Sequence, residues 1–500
     1  MALCHSDETE QMLSALRAEE TRLLEALSAT RTKLNDLMPI SALPAEILEE
    51  IFGICISRLY GFQKSPHRLA LTQVCRRWRF VSLNAARLWR IIDLRNPRLA
   101  QESFLRSASA PIHLSAWSPS QLCIEGPYIE GLGSHAERVK SVELNLFPED
   151  MIKLFRNLGP SLPALTDLSL TVPALSTNFI LDDLPCLPHL KALTLDCVSI
   201  PWHQCVGLTR LSLRGQATGY SPSLTQLRTI FEASPNLEHI RLSCITLALP
   251  DVDIAPPRLI SLPQLREFNI AAKASVIQSI LSDISLSPTT RLHINCSQFD
   301  GLDDLLPARL KAMYPLSDIR VVRLVREGVR LLTSAAAPWS NDPADWKVSF
   351  ICPHRISERA FSADLPQFFD LSSVNTLELG FALNDWMINS LGPFLAQLPN
   401  LETLRIAKND LEYLLDNLSH SELLCPRLKT LTIGSVESSG GWGSFGDSCL
   451  KPLVLFAKAR RSASVPLETV EFVYSDIFTH NARNELEGLV GRVVFFPDRP

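Results

Sequence analysis

The sequence predicts an α/β chain in three parts: a long N-terminal helix, a small all-α bundle, and an irregular repeat solenoid built on a parallel sheet. Three observations predict it. Residues 8–38 carry leucines at heptad spacing, residues 39–98 carry two apolar helix faces, and from about residue 100 the pattern L-x-x-L-x-L recurs toward the end. The length of 500 residues agrees, because it exceeds what one compact core usually holds. With 46% hydrophobic and 20% charged residues, the composition is that of a globular chain.

The first part, residues 1–38, contains "ETEQMLSALRAEETRLLEALSATRTKLNDLM". Leu16, Leu23, Thr30 and Leu37 form one seam, and Leu13, Glu20, Leu27 and Leu34 form the other, with charged residues on the flanks. Glu20 and Thr30 interrupt the seams. The segment reads either as a short dimeric coiled coil or as a solvated helix folded back on the next domain.

The second part, residues 39–98, opens on "PISALPAEILEEIFGICISRL". Pro44 suits a first helical turn, where its missing N–H leaves no bond unmade, and Glu46 favours the positive helix end. Ile47, Leu48, Ile51, Phe52, Cys55, Ile56 and Leu59 recur at helical spacing. After the polar loop "GFQKSPH", Leu71, Val74, Cys75, Trp78 and Val81 make a second stripe. A packet of about 60 residues holds little more than a minimal core, and one with so much apolar surface often completes that core against a partner. The ten Lys or Arg in this part outnumber its four Asp or Glu. Arg76, Arg77 and Arg79 fall mostly opposite the apolar stripe, so they read as a solvated face or a surface for an acidic partner, not as a nucleic-acid site.

The order "LPAEILEEIF", "VCRRW", then "LW" ahead of "RIIDL" resembles the F-box motif. The resemblance implies a small helical bundle that docks on the Skp-type adaptor of a cullin–RING ubiquitin ligase. Carried over by motif position, Leu43, Pro44, Ile47, Leu48, Ile51 and Phe52 would supply the first docking surface, and Val74, Cys75 and Trp78 the second. The preceding helix is similar to the arrangement in many fungal F-box proteins.

The third part, residues 99–500, repeats. "LPALTDLSL", "LPHLKALTL", "SPNLEHIRL", "LPQLREFNI", "LPNLETLRI" and "CPRLKTLTI" share one frame, and several steps between frames span 25 to 29 residues. That period and pattern match a leucine-rich repeat. Leu165, Leu168 and Leu170 should point inward, while Asp167 and Ser169 alternate outward on a short strand. No single unit buries its apolar face alone, so the units must stack. Residues 300–372 break the frame. There "DIRVVRLVREGVRLL" and "WKVSFICP" read as strands and "TSAAAPWSNDPADW" as a loop, so irregular repeats are expected rather than a separate domain.

Binding would fall on the outward strand positions, which include Glu267, Glu378, Arg405 and Glu471. Among them Arg210, Arg214 and Arg241, from neighbouring repeats, could form a basic strip suited to an acidic or phosphorylated segment of a protein substrate, with His239 a further candidate substrate contact; the alternative is that such exposed strand positions are polar simply for solubility.

No catalytic constellation emerges, and neither a cofactor nor a metal is expected. "GWGSFG" at 441–446 fits G-x-G-x-x-G, but the preceding "TLTIG" ends seven residues early and the surroundings read as a flexible loop. His203-x-Cys205 and Cys352-x-His354 each lack the second pair a zinc site needs. The net charge of −5 does not suggest nucleic acid, and no run approaches eighteen apolar residues, so no membrane partner is expected. The 12 scattered cysteines, with no CxxC, and a polar start without a secretory pattern suggest an intracellular chain, cytoplasmic and/or nuclear. Asn295-Cys296-Ser297 and Asn417-Leu418-Ser419 are then chance matches to the glycosylation pattern.

Two functions fit. The first is the substrate-recognition adaptor of an SCF-type E3 ubiquitin ligase, a non-enzyme whose repeats hold a protein substrate. The second is a non-ligase interaction scaffold built on the solenoid.

Overall fold

The computed structural model of the chain describes residues 4–57, 69–117, 127–173, 178–217, 219–246, 259–296, 299, 301–307, 319–325, 328–332, 346–351, 364–379, 391–407, 414–415, 424–434, 450–473 and 480–496. They fall in two compact units. Residues 1–177 with 181–190 make the first, and residues 178–180 with 191–500 make the second.

The first unit begins with α1 (Cys4–Asp36), a 3-10 turn at Pro39–Ala42, α2 (Ala45–Ser57) and α3 (Arg76–Asn84). After them come β1 (Ile91–Asp93), α4 (Pro97–Arg106), β2 (Ile112–Trp117) and β3 (Val139–Asn145), then α5 (Pro148–Leu158) and β4 (Asp167–Thr171). Strands β1 to β4 pair in parallel and in chain order, with Ile92, Leu114, Val142 and Leu168 in one lateral row. All four are buried. Parallel strands need a crossover, and α5 supplies one. Pro148 sits in its first turn with Glu149 and Asp150, and Met151, Leu154, Phe155 and Leu158 make its buried face.

The second unit continues the same construction with β5 (Ala192–Asp196), β6 (Arg210–Arg214), β7 (His239–Ser243), β8 (Glu267–Ala271) and β9 (Arg291–Asn295). Then follow β10 (Val321–Val325), β11 (Gly328–Leu332), β12 (Trp346–Ile351), β13 (Thr376–Leu379), β14 (Thr403–Ala407), β15 (Thr430–Gly434), β16 (Thr469–Val473) and β17 (Arg492–Phe496). Between them lie α6 (Leu224–Glu232), α7 (Ala274–Asp283), α8 (Leu450–Ser462) and α9 (His480–Glu487). Helix α6 starts from a capping box, in which Ser223 accepts from the Gln226 N–H and the Gln226 side chain accepts from the Ser223 N–H.

A single row of core residues runs across this unit from Leu193 through Leu211, Ile240, Phe268 and Leu292 to Val348, then through Leu331, Val322, Leu377, Leu404 and Leu431 to Val470. None is more than 1% exposed, so each repeat buries its leucine against its neighbours, as the repeat period requires. The frame break also resolves here. "DIRVVRLVREGVRLL" forms two strands, β10 and β11, and β11 runs antiparallel to both β10 and β12. The lateral order is β9–β12–β11–β10–β13, with β12 parallel to β9 and β10 parallel to β13. The irregular segment therefore contributes strands to the repeat ladder. Most of "TSAAAPWSNDPADW" lies outside the described residues.

The turns after β5, β6 and β7 share one conformation. Cys197, Gly215 and Cys244 each follow directly on a strand, and each has φ between 54° and 65°. Each donates its N–H to the end of the next strand, Cys197 to Arg214, Gly215 to Ser243 and Cys244 to Ala271.

Candidate docking face and repeat-strand face

The bundle is built on two stripes of one helix. Leu48, Phe52 and Ile56 of α2 turn inward and meet Val81, Ala85, Leu88 and Trp89 in the core. Phe52 and Trp78 pack in a tilted arrangement, 4.7 Å between ring centroids and 54° between planes, and Trp89 Nε1 donates to the Ser82 carbonyl at 2.7 Å. The other stripe turns outward. Pro44 is exposed, Ile47 is 46% exposed, Ile51 is half-buried and Ile54 is 50% exposed. Positions 47, 51 and 54 follow i, i+4, i+7, so they form one continuous ridge.

The second predicted surface surrounds the start of α3. Val74 is 58% exposed, while Cys75 and Trp78 are half-buried. Cys75 is the N-cap, its Sγ accepting from the Trp78 N–H at 3.4 Å. Arg77 fixes this corner by donating to the carbonyls of Ser41 and Leu43, which holds the Leu43–Pro44 step against α3. Arg87 reaches α2 from the far side and pairs with Glu49 and Glu50. The bond to Glu50, more than the partial desolvation that opposes it, raises its pKa.

The structure thus divides the nine predicted docking residues. Pro44, Ile47 and Val74 are open, and Leu43, Ile51, Cys75 and Trp78 are half-open. Leu48 and Phe52 are enclosed at 0% exposure, so they shape the surface from beneath and present no area of their own. Ile54 and Phe80, the latter 70% exposed, were not singled out in the sequence. Ile54 is signalled by its spacing from Ile47 and Ile51, and Phe80 by falling off the α3 stripe.

On the repeat strands, Arg210 faces His239 across β6 and β7, and Ser212 faces Arg241, so the four predicted residues share one face. Arg210, Arg214 and Arg241 are exposed and His239 is half-buried. Arg214 lies 3.7 Å from Asp196 on β5, which neutralises part of the strip. Farther along the same lateral row the face is enclosed. Glu378, read from sequence as outward, is 0% exposed and accepts from both Arg323 on β10 and Arg405 on β14. Sequence reasoning missed Arg323 because it lies where the repeat frame breaks.

His203 is exposed and Cys205 is buried, its thiol pushed up to about 12 by desolvation. "GWGSFG", Cys352-x-His354 and Asn417-Leu418-Ser419 lie outside the described residues. Among the described residues no cluster of three His, Cys, Asp or Glu could hold a metal ion, and no helix is long and apolar enough to cross a membrane.

Residues 40–95 match the family described as F-box-like. The chain therefore carries an F-box-like domain ahead of a leucine-rich-repeat-like solenoid. A solved structure to which the chain is similar is a leucine-rich repeat-containing protein, LegL7 from Legionella pneumophila, at 14% identity and a TM-score of 0.22 over 73% of this chain and 86% of that one. The solenoid assignment rests on the strand registers, not on this likeness. No curated protein matches the chain.

Proposed function

We propose that the chain is the substrate-recognition subunit of an SCF-type E3 ubiquitin ligase. Its F-box-like domain would dock on a Skp-type adaptor, and its repeat strands would hold a protein substrate. The observation that carries this reading is the outward stripe Pro44–Ile47–Ile51–Ile54 with Val74. A helix that already fills a core with Leu48 and Phe52 has no internal use for a second apolar ridge. Burying such a side chain contributes about 1.5–3 kcal/mol, so a few suffice to dominate a small interface.

The chain itself is assigned no catalytic step. It would act by proximity, raising the local concentration of a substrate lysine beside an enzyme recruited through the cullin arm. Such a complex works inside the cell, in the cytoplasm and/or the nucleus. The exposed Arg210, Arg214 and Arg241, with His239 beside them, favour an acidic or phosphorylated substrate segment.

The test is co-expression of the full chain with a Skp-type adaptor, beside the Ile47→Asp/Val74→Asp double variant. Both substituted positions face solvent, so the variant should fold like wild type. Co-purification with wild type alone supports the docking face. A folded wild-type chain that ignores the adaptor removes the ligase reading and leaves a repeat scaffold.

A further inference from the structure

Helix α1 leaves its leucine seam open. Leu13, Leu16, Leu23, Leu27, Leu34 and Leu37 are between 46% and 82% exposed. The helix touches the bundle with its other side. Ser28, Thr32 and Asn35, at i, i+4 and i+7, are half-buried, and Arg76 Nη2 donates to Ser28 Oγ at 2.8 Å. Ser41 Oγ closes the junction by donating to the Asn35 carbonyl at 2.6 Å. These contacts occupy the helix face opposite the heptad seam, so docking on the bundle and pairing through the seam do not compete.

We propose that the α1 seam pairs with α1 of a second copy of this chain, as an antiparallel two-fold coiled coil centred near Glu25. The polar interruptions select this occupant and this direction. In an antiparallel pair each a layer meets a d layer, and a two-fold axis near Glu25 sets Leu16 against Leu34 and Leu23 against Leu27, with Leu13 reaching toward Leu37 in the turn just past α1. The same axis sets Glu20 against Thr30, so the two polar seam positions meet each other and every remaining layer is leucine on leucine. A parallel pair in register would instead stack Glu20 on Glu20, two carboxylates in one seam layer.

The flanks agree with the antiparallel direction. Glu19 falls opposite Lys33 of the second copy, twice by symmetry. On the other flank Arg17 falls opposite Arg31 of the second copy. Glu20 lies one turn from Arg17 and beside that Arg31, so a carboxylate sits between the two guanidinium groups. Within α1 the seam from Leu13 to Leu34 spans about 32 Å at the α-helical rise, enough layers for a self-standing pair. This inference does not depend on adaptor binding.

Sedimentation equilibrium on the full chain tests it. Wild type is expected at twice the 55.7 kDa chain mass, and Leu23→Asp/Leu27→Asp at 55.7 kDa with an unchanged circular dichroism spectrum. The direction is read by charge exchange. Glu19→Lys should weaken the dimer about tenfold by setting it against Lys33, and Glu19→Lys/Lys33→Glu should restore it. A wild-type chain that stays at 55.7 kDa throughout the concentration range overturns the proposal, as does a dimer that survives Leu23→Asp/Leu27→Asp. Failure of the exchange to restore association overturns the antiparallel arrangement.

Discussion

The N-terminal helices and the repeat strands treat apolar residues in opposite ways. Across the second unit every leucine-type position of the core row is shut away. In the helices, by contrast, large apolar side chains stay in water. Of the twenty-three strongly exposed ones among the described residues, fifteen lie between Met12 and Phe80, and the other eight are scattered from Leu105 to Phe496. Exposed apolar surface among the described residues is thus concentrated in the N-terminal helices. Among the described residues the core row of the second unit is buried, and the alternate strand positions on the other face are mainly polar and charged. The N-terminal part offers unfinished apolar surface, one ridge on the bundle and one on α1.

Breaking the bundle from inside should have the largest effect. Phe52→Ala removes a fully enclosed ring packed on Trp78 and should destabilise the domain by about 3–5 kcal/mol, read as faster hydrogen exchange over α2 and α3. Ile47→Asp should leave that exchange unchanged. Equal protection loss in both would mean that the two stripes are not distinct.

The charged strand face should divide in the same manner. Glu378→Ala leaves Arg323 and Arg405 without their shared carboxylate and should lower urea stability by about 3–5 kcal/mol. Arg241→Ala, on the open part of the face, should stay within about 0.5 kcal/mol of wild type.

Gly215→Val should have an intermediate effect of about 1–3 kcal/mol, visible in the thermal midpoint. Gly215 has φ +65°, and a Cβ there would come within 2.7 Å of the Cys197 Sγ. The neighbouring turns do hold cysteines at positive φ, so the effect comes from the contact as well as the backbone.

The smallest effect concerns pH. Desolvation lowers the His293 pKa below the ordinary histidine value, and the cations Arg291, Arg241 and Arg330 add to this against the opposing Glu267. The unfolded chain therefore binds the proton more readily than the folded one. Stability should be full above pH of about 6.5 and decline as pH falls below it, toward the depressed folded value. His293→Asn should remove that portion of the decline in urea titrations across the same range.

Much of this was legible in the sequence, for identifiable reasons. The inward leucines follow from a repeat period that survives divergence, because every unit faces the same stacking requirement. The division of α2 into Leu48–Phe52 inside and Ile47–Ile54 outside was not legible. Both stripes are apolar, they lie about 100° apart on one helix, and only the position of α3 decides between them. The enclosure of Glu378 was hidden because its two arginines come from strands 27 and 55 residues away, and one belongs to the out-of-frame hairpin. Small polar residues likewise carry no hydrophobic signal, so the side of α1 that rests on the bundle could not be read from Ser28, Thr32 and Asn35.

The proposed adaptor docking rests on the outward stripe of the F-box-like domain. Calorimetric titration of a Skp-type adaptor into the full chain tests it most directly, with wild type beside Ile47→Asp and Val74→Asp. Saturable binding to wild type is expected, with a weakening of at least about 30-fold for each variant, the size of a hot-spot loss near 2 kcal/mol, and with thermal midpoints unchanged. Equal affinity for all three proteins, or no binding by a folded wild-type chain, would contradict it.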